Sequence, residues 1–217
     1  MIWLLASTAP TPDIGETLVW LLRDSEPLPN WVSAGVLSES EQARAANIRH
    51  PLGHSQFVRG RQILRSALGL WLNVPPAAVP IQLAPDGKPV VEGVHFNMSH
   101  TAGFALFGIA RRPIGVDIES ADPQRDCDGL MRRYFTPPEQ EQYFRIPPPL
   151  RPAAFLRGWT CKEALLKAIG SGVRDLQNCR VNLETPEVLE APEGTWELEA
   201  GELQPGVAWA VCVRTDR

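Results

Sequence analysis

The sequence lacks the features that mark secreted or membrane proteins. No apolar run approaches the roughly 20 residues of a membrane-spanning helix. No Lys or Arg precedes the short apolar start, as a signal peptide would require. We therefore expect a cytoplasmic protein that makes no use of a membrane, whose first residues, Ile2–Leu5, form a buried strand.

The sequence also has few cysteines and no excess of positive charge. The four cysteines, Cys127, Cys161, Cys179 and Cys212, are dispersed and form no C-x-x-C pair. This spacing predicts free thiols in a reducing compartment and fits no zinc site. The formal net charge of -4 gives no support to a nucleic-acid partner held by bulk positive charge.

The elements that the sequence does predict are strands and two long helices. Apolar residues at helical spacing predict one helix over about His54–Leu72 and another over about Pro152–Ile169, which Gly170 would end. Short apolar runs on either side of these helices predict strands. We therefore expect an α+β fold of two similar subdomains, 1–112 and 113–217, each a small sheet packed with a long helix.

The run from Gly115 to Glu119 has the composition of a strand with one acidic face. Side chains alternate along a strand, so Asp117 and Glu119 share a face. Neighbouring carboxylates repel each other unless a cation neutralises them, and a hard divalent cation does so well. The alternative is a polar strand face in water, which the pair alone does not exclude, because other acidic-x-acidic pairs occur in the chain.

The later helix carries a second charged group, Lys162, Glu163 and Lys167, on one broad face. Such a carboxylate can bind a metal or accept a proton, and the lysines can hold phosphate oxygens. The alternative is a surface ion pair between Glu163 and Lys167, worth about 0.2–0.5 kcal/mol.

Ser99 and His100 follow each other in a predicted strand and suggest a nucleophile beside its base. Neighbouring strand residues point to opposite faces, however, so their positions do not favour a serine hydrolase. Both side chains are also good hydrogen-bond donors for phosphate. The alternative is a strand end whose polar groups are satisfied locally.

Arginines cluster in the first half of the chain, at Arg44, Arg49, Arg59, Arg61 and Arg65. Arginine grips phosphate bidentately, which suits a nucleotide with several phosphates. The alternative for each of these residues is a solvated helix face.

Four motifs follow one another in the chain: Gly87-Lys88-Pro89, Phe96-Asn97-x-Ser99-His100, Gly115-Val116-Asp117-Ile118-Glu119 and Trp159-x-x-Lys162-Glu163-Ala164-x-x-Lys167-x-x-Gly170. Their order and spacing resemble the 4′-phosphopantetheinyl transferase superfamily, of the type that activates surfactin synthetase. The resemblance covers Gly87 to Gly172, and the arginine-rich helix upstream is a fifth, looser piece.

The resemblance implies two similar α+β subdomains related by a pseudo-twofold, in a monomer that binds coenzyme A between its halves. The first would bind the nucleotide, and the second would carry the metal carboxylates and dock the carrier protein. The implied reaction moves the 4′-phosphopantetheine group from coenzyme A to a serine of an apo acyl, peptidyl or aryl carrier, releasing adenosine 3′,5′-bisphosphate. Such carriers serve fatty acid, polyketide or nonribosomal peptide synthesis, and the implied metal is Mg²⁺ or Mn²⁺.

The same resemblance implies the residues of the reaction centre. Asp117, Glu119 and Glu163 would bind the metal. Glu163 would also accept the proton of the carrier serine, directly or through water. Lys167 would stabilise the leaving phosphate, and Lys162 would help to hold the pyrophosphate.

The resemblance also implies contacts to the nucleotide of coenzyme A. Ser99 and His100 would contact its phosphates, with His100 on the 3′-phosphate. Lys88 and Pro89 would flank the adenine.

Arg44 and Arg61 are further candidates for contact with the phosphates. Many relatives carry an Arg at a position where this chain has Gln56. Arg59 or Arg61 would then have to substitute for it.

The stretch between the two carboxylate motifs combines basic and aromatic residues, which suits docking of an acidic carrier protein. Its members are Arg132, Arg133, Arg145, Arg151 and Arg157 with Met131, Tyr134, Phe135, Tyr143 and Phe144. The alternative is an ordinary connector whose aromatic side chains are buried in the second subdomain.

Two other functions would use the same residues. A metal-dependent coenzyme A phosphohydrolase would need the three carboxylates and would release phosphopantetheine to water. A non-catalytic module would only bind coenzyme A or a carrier. Glu163 and Lys167 argue against such a module, because binding alone needs neither.

Overall fold

The structure, a computed structural model, describes residues 1–84, 87–101 and 103–216. The chain divides into two compact units, Met1–Val94 and His95–Arg217. Each unit contains one long helix and short strands, so the predicted α+β class is confirmed. The predicted division at residues 112 and 113 falls between two strands of the second unit. The functional split at that point and the pseudo-twofold stay predictions.

The first unit contains a parallel strand pair, two helices and a short hairpin. Its elements are β1 (Ile2–Leu4), β2 (Thr17–Arg23), α1 (Glu39–Ala46), α2 (Pro51–Leu72), β3 (Gln82–Leu83) and β4 (Pro89–Val90). The first predicted strand is present as β1, but the prediction that it is buried is wrong, since Ile2 and Trp3 are 40% and 39% exposed. β1 has three residues and pairs with β2 alone among the described strands, so its side chains are covered from one direction only.

Arg65 of α2 belongs to the packing of the first unit. Its guanidinium is buried, pairs with Glu41 of α1, and donates to the carbonyl oxygens of Pro76 and Val79. Because these partners come from α1 and from the turn after α2, Arg65 ties three segments together. The structure therefore removes Arg65 from the arginines that can grip a phosphate.

The second unit has seven strands and three α-helices in its described residues. The strands are β5 (His95–Thr101), β6 (Phe104–Ala110), β7 (Ile114–Ser120), β8 (Arg180–Val181), β9 (Val188–Glu190), β10 (Trp196–Gln204) and β11 (Val207–Arg214). The helices are α3 (Cys127–Tyr134), α4 (Pro137–Arg145) and α5 (Arg151–Ile169). β5 and β6 form an antiparallel hairpin, and β7, β11 and β10 form a three-stranded antiparallel sheet.

Helix α5 packs closely against β7 because Gly115 of that strand has no side chain. A Cβ at residue 115 would overlap the carbonyl oxygen of Ala164 and the amide nitrogen of Ala168. The helix ends at Gly170, as predicted, where the φ of 85° lies in the left-handed region that favours glycine. This packing brings the charged face of α5 against the acidic face of β7.

The core of the second unit forms around α5 and includes side chains from α3, α4 and β11. Three of the four cysteines are buried in it, and all four are free thiols, as predicted. In the described part of the chain, no helix is both long enough and apolar enough to cross a membrane.

Candidate functional site

Asp117 of β7 is the centre of a charged cluster in the second unit. The ammonium Nζ of Lys167, from α5, lies 2.6 Å from Asp117 Oδ1. The hydroxyl of Ser99, from β5, donates to the same oxygen at 2.8 Å, and Lys167 Nζ lies 3.1 Å from Ser99 Oγ. Three elements therefore each supply one residue to this centre.

The strand alternation predicted for β7 explains which side chains reach α5. Gly115 faces α5, so Asp117 and Glu119 lie on the same side of the strand. Val116 and Ile118 are fully buried on the other side. The face of β7 that carries the two carboxylates is therefore the face that packs against α5.

Two further carboxylates, Glu119 and Glu163, lie within electrostatic range of Asp117. Burial raises the pKa of Glu163, the charge of Asp117 raises it further, and Lys167 opposes both. Burial and Asp117 likewise raise the pKa of Glu119, while Arg125 and Lys167 lower it. The raised pKa values mean that ionising Glu119 and Glu163 beside Asp117 is unfavourable, and a cation would relieve this cost.

The chemistry of this donor set fits a hard divalent cation. Asp117 Oδ2 is buried and has no hydrogen-bond partner among the described residues, a costly position for a carboxylate oxygen. Carboxylate oxygens are the protein ligands that Mg²⁺ takes up. In the described chain, no three acidic, His or Cys side chains are close enough together to hold a metal ion as they stand. The metal role of Asp117, Glu119 and Glu163 therefore stays a prediction.

Lys162 does not lie where the predicted pyrophosphate contact needs it. Its side chain is 0% exposed, and its Nζ lies 2.7 Å from Oε2 of Glu139, which is itself 1% exposed. The ammonium also lies 4.7 Å from the centre of the Phe135 ring. Because the charge is neutralised inside the core, Lys162 cannot reach a ligand in solvent, and a packing role replaces the predicted one.

The residues predicted for the nucleotide fall in both units. Ser99 is buried in the cluster around Asp117, whereas His100, its neighbour on β5, is exposed. The two side chains therefore point to opposite faces, as predicted, and form no nucleophile–base pair. Lys88 and Pro89 are partly buried at the start of β4 in the first unit. Their contacts with coenzyme A stay predictions.

Arg44 and Arg61 line a small cavity of about 90 Å³ in the first unit. Each guanidinium carbon lies 5.4 Å from the centre of the Phe57 ring, which also lines the cavity. Arg61 is buried, its Nε has no hydrogen-bond partner among the described residues, and burial lowers its pKa. Glu41, 3.8 Å from Arg61, already pairs with Arg65, so the cavity keeps an excess of positive charge that suits an anion.

Gln56 occupies the position where many relatives carry an arginine, and Arg59 is one of the two residues predicted to substitute for it. Gln56 donates to Asp24 Oδ2 at 2.9 Å. Arg59 donates to the carbonyl oxygens of Arg23 and Glu26, which holds the end of β2 to α2. Arg61 therefore remains the better candidate to substitute for the missing arginine.

The predicted docking stretch divides into buried and accessible side chains. Met131, Phe135 and Tyr143 are fully buried in the core, so the alternative interpretation is right for them. Tyr134 and Phe144 are only partly buried.

Arginine side chains cover the two accessible rings of this stretch. The guanidinium carbon of Arg132 lies 4.6 Å from the Phe144 ring centre, and that of Arg133 lies 5.1 Å from the Tyr134 ring centre. These four residues form a basic and aromatic patch on α3 and α4.

Arg125 is a charged residue of the site that the sequence motifs did not indicate. It lies in the loop between β7 and α3, and its Nη2 is 3.8 Å from Glu119 Oε2. Loop residues follow no period, so spacing gives no signal for them. The one available sign is a single arginine shortly after the acidic strand, in an otherwise acidic stretch.

Comparison with known proteins identifies one matching family model and several relatives. A family model described as the 4′-phosphopantetheinyl transferase superfamily matches residues 113–215. The 4′-phosphopantetheinyl transferase HetI of Nostoc sp. is 36% identical over 185 residues, which cover 82% of this chain and 73% of the relative. The transferase psf-1 of Bacillus pumilus is 25% identical, over 82% of this chain and 79% of its own. The transferase Sfp of Bacillus subtilis is 22% identical, over 81% of each chain.

Proposed function

The chain belongs to the 4′-phosphopantetheinyl transferase superfamily, and we propose that its reaction centre is the charged cluster between β7 and α5. The protein is a transferase, and its family moves the phosphopantetheine group from coenzyme A to carrier proteins. The observation that carries the proposal is the Lys167–Asp117–Ser99 contact, with two carboxylates of raised pKa beside it. This cluster also contains some of the motif residues that resemble the family, namely Ser99, Asp117, Glu119, Glu163 and Lys167.

The negative charge of the cluster is suited to a divalent cation. Asp117, Glu119 and Glu163 would hold Mg²⁺ or Mn²⁺, which when bound would supply positive charge beside the phosphate oxygens. Asp117 Oδ2, buried without a hydrogen-bond partner among the described residues, is the oxygen most in need of such a ligand. In the protein itself, Lys167 already neutralises part of this charge.

Glu163 is the group that we propose as the proton acceptor. Its pKa is raised, first by burial and then by the charge of Asp117, so its carboxylate is a stronger base than that of an ordinary glutamate. The serine hydroxyl of the carrier gives its proton to Glu163 as its oxygen bonds to the pantetheine-side phosphorus of coenzyme A. The phosphorus–oxygen bond of the diphosphate breaks, and adenosine 3′,5′-bisphosphate leaves.

Lys167 is placed to stabilise the charge that this reaction creates. Its side chain is 29% exposed although its partner Asp117 is 3% exposed, so the ammonium reaches the surface of the cluster. An ammonium held at a fixed place beside the departing phosphate lowers the energy of the transition state without a reorganisation of solvent. We assign Lys167 to the leaving group and omit Lys162 from the site.

The nucleotide end of coenzyme A would be bound by Ser99, which belongs to this cluster, together with residues outside it. We propose Ser99 and His100 for the phosphates, Lys88 and Pro89 for the adenine, and the cavity of Arg44 and Arg61 as a further phosphate contact. Two observations support the last assignment: the excess positive charge of that cavity, and the Nε of Arg61, which has no hydrogen-bond partner within the described part of the chain.

The carrier protein would dock on the basic and aromatic patch of α3 and α4. An acidic partner suits the two arginines, and the rings beneath them supply apolar area. We further propose that the protein acts as a monomer in the cytoplasm, where its free thiols would stay reduced.

The test combines the purified protein, coenzyme A labelled in its pantetheine arm, Mg²⁺ and a panel of apo carrier proteins. We expect label on a carrier serine with the wild type and with Glu197→Gln, a control on an exposed glutamate of β10. We expect none with Glu163→Gln, which removes a charge with little change of shape. Release of free phosphopantetheine would identify a phosphohydrolase, and unchanged coenzyme A would identify a binding module. Near-normal transfer by Glu163→Gln would remove Glu163 from the role of base.

A further inference from the structure

Both acidic side chains of β7 have a cationic partner in the protein. Lys167 lies 2.6 Å from Asp117, and Arg125 lies 3.8 Å from Glu119. The first pair belongs to the family motif. The second comes from the loop after β7, and nothing in the motifs assigns a role to Arg125.

The Arg125–Glu119 pair has the properties of a contact that exchanges easily. The two side chains are 26% and 29% exposed, and the atoms are 3.8 Å apart. Pairs this long and this exposed contribute little to stability. Arg125 also borders a cavity of about 350 Å³, which leaves room for its guanidinium to turn.

A divalent cation on Glu119 would disturb this pair directly. The guanidinium and the cation have the same sign and would compete for one carboxylate, so Arg125 would lose its partner. A guanidinium released in this way is a good ligand for phosphate, because its planar fork matches two phosphate oxygens. In the proposed function, the diphosphate of coenzyme A approaches the same carboxylates.

We propose that Arg125 is a further phosphate-binding residue, which passes from Glu119 in the ligand-free protein to a diphosphate oxygen of coenzyme A when a divalent cation binds. This inference rests on the proposed function. It implies that the cation and coenzyme A bind cooperatively through Arg125. Without the diphosphate, the arginine weakens binding of the cation. Once the cation is bound, the arginine strengthens binding of the diphosphate. Because binding is reciprocal, each ligand must strengthen the other by the same factor.

The test compares Arg125→Gln with Arg145→Gln, which removes the same charge from an exposed pair with Glu141 on α4. The first measurement is Mn²⁺ binding without coenzyme A, by electron paramagnetic resonance. We expect Arg125→Gln to bind Mn²⁺ about two- to fivefold more tightly than the wild type, as loss of a partly exposed competing charge predicts. Arg145→Gln should bind Mn²⁺ as the wild type does.

The second measurement is the binding of coenzyme A in saturating Mn²⁺, by calorimetry. We expect Arg125→Gln to bind coenzyme A about tenfold or more weakly, the usual result of losing a hydrogen bond to a charged group. Arg125→Lys keeps the charge and loses the fork, so it should leave Mn²⁺ binding near the wild-type value and weaken coenzyme A less. This variant also keeps the test usable if the glutamine variant fails to fold.

Two results would overturn the role of Arg125. Weaker Mn²⁺ binding by Arg125→Gln would mean that the arginine merely positions Glu119 as a ligand. Unchanged coenzyme A binding in Mn²⁺ would mean that no phosphate contact is lost. Either result, obtained with a wild type that labels carrier proteins, leaves the proposed function intact, whereas a wild type that labels no carrier overturns the proposed function itself.

Discussion

Two lysines five residues apart on α5 form ion pairs of almost the same length in very different surroundings. Lys162 lies 2.7 Å from Glu139, and Lys167 lies 2.6 Å from Asp117. The first pair is 0% and 1% exposed, whereas the side chain of Lys167 is 29% exposed. The distance within the ion pair therefore does not distinguish a lysine of the core from a lysine of the proposed reaction centre.

The two carboxylates differ in how completely their oxygens are used. Glu139 Oε2 accepts from Lys162 and from the backbone and hydroxyl of Thr136, and its Oε1 accepts from the amide of Val181. Asp117 Oδ1 accepts from Lys167 and Ser99, but its Oδ2 has no hydrogen-bond partner among the described residues. A carboxylate whose two oxygens both accept hydrogen bonds stabilises the fold. A carboxylate with one oxygen that accepts no hydrogen bond can still bind a ligand.

The largest effect should come from breaking the buried pair. Lys162→Met would leave the charge of Glu139 in the core without its cation, which costs about 3–5 kcal/mol in the free energy of unfolding. Urea denaturation measures this loss. The double variant Lys162→Met/Glu139→Gln should recover much of it, because the glutamine is neutral and keeps an acceptor oxygen. A single variant as stable as the wild type would contradict the structural role of the pair.

Breaking the accessible pair should instead affect the reaction. Lys167→Met should lower kcat about 10²–10³-fold, the usual result of removing a group that stabilises charge in a transition state. Its loss of stability should be smaller than that of Lys162→Met, because water can reach the lysine side of the pair. Transfer assays and urea denaturation on both variants make the comparison. Equal losses of stability in the two would show that exposure does not separate these lysines.

A third prediction concerns the effect of the Glu163 carboxylate on the free energy of unfolding. The folded-state pKa of Glu163 is raised, so its ionisation favours the unfolded chain at pH values above the folded pKa. Glu163→Gln removes this penalty and should raise the Tm of the metal-free protein at pH 7, by about 2–4 °C for each 1 kcal/mol gained.

The sign of this effect can be checked by changing the pH. Below about pH 4, the ordinary range of a glutamate pKa, Glu163 is protonated in both states of the wild type. The stabilisation by Glu163→Gln should therefore disappear there. A lower Tm for the variant at pH 7 would mean that Glu163 stabilises the fold, as Glu139 does.

The smallest effect should come from Arg132 and Arg133, whose guanidinium groups cover aromatic rings. Arg132→Glu with Arg133→Glu should raise KM for the carrier protein several-fold, as mutation of peripheral interface charges does, and leave coenzyme A binding unchanged. The effect should fade with added salt, because exposed charges are screened beyond about 8 Å at physiological ionic strength. Steady-state kinetics at two salt concentrations measures it. An unchanged KM at low salt would place carrier docking elsewhere.

Local patterns in the sequence predicted the parts of the site that depend on one element. Alternation along β7 predicted that Asp117 and Glu119 share a face, and helical spacing predicted that Glu163 and Lys167 lie together. Gly170 predicted the end of α5. Each of these inferences needs only the geometry of a single strand or helix.

The failures arose where a side chain meets a partner that is distant in the sequence. Lys162 seemed to belong to the same face as Lys167, but Glu139 lies on α4, and only the packing of α4 against α5 decides which carboxylate each lysine meets. Arg65 was likewise a candidate phosphate ligand in the sequence. Its actual partners lie on α1 and in the turn after α2, and sequence spacing does not indicate them. Arg125 lies in a loop, where neither helical nor strand periodicity could indicate its role.

The contact at Gly115 means that the geometry of the proposed reaction centre depends on a place where the backbones leave no room for a methyl group. The backbone of α5 rests directly on the backbone of β7 at this point, three residues or fewer from Asp117 and Lys167. Side chains can turn to absorb an error in packing, but two touching backbones cannot. The main chain itself therefore fixes the distance between the acidic strand and Glu163, the proposed proton acceptor on the helix. This spacing can be lost by one added carbon atom, although every charged group of the centre remains present.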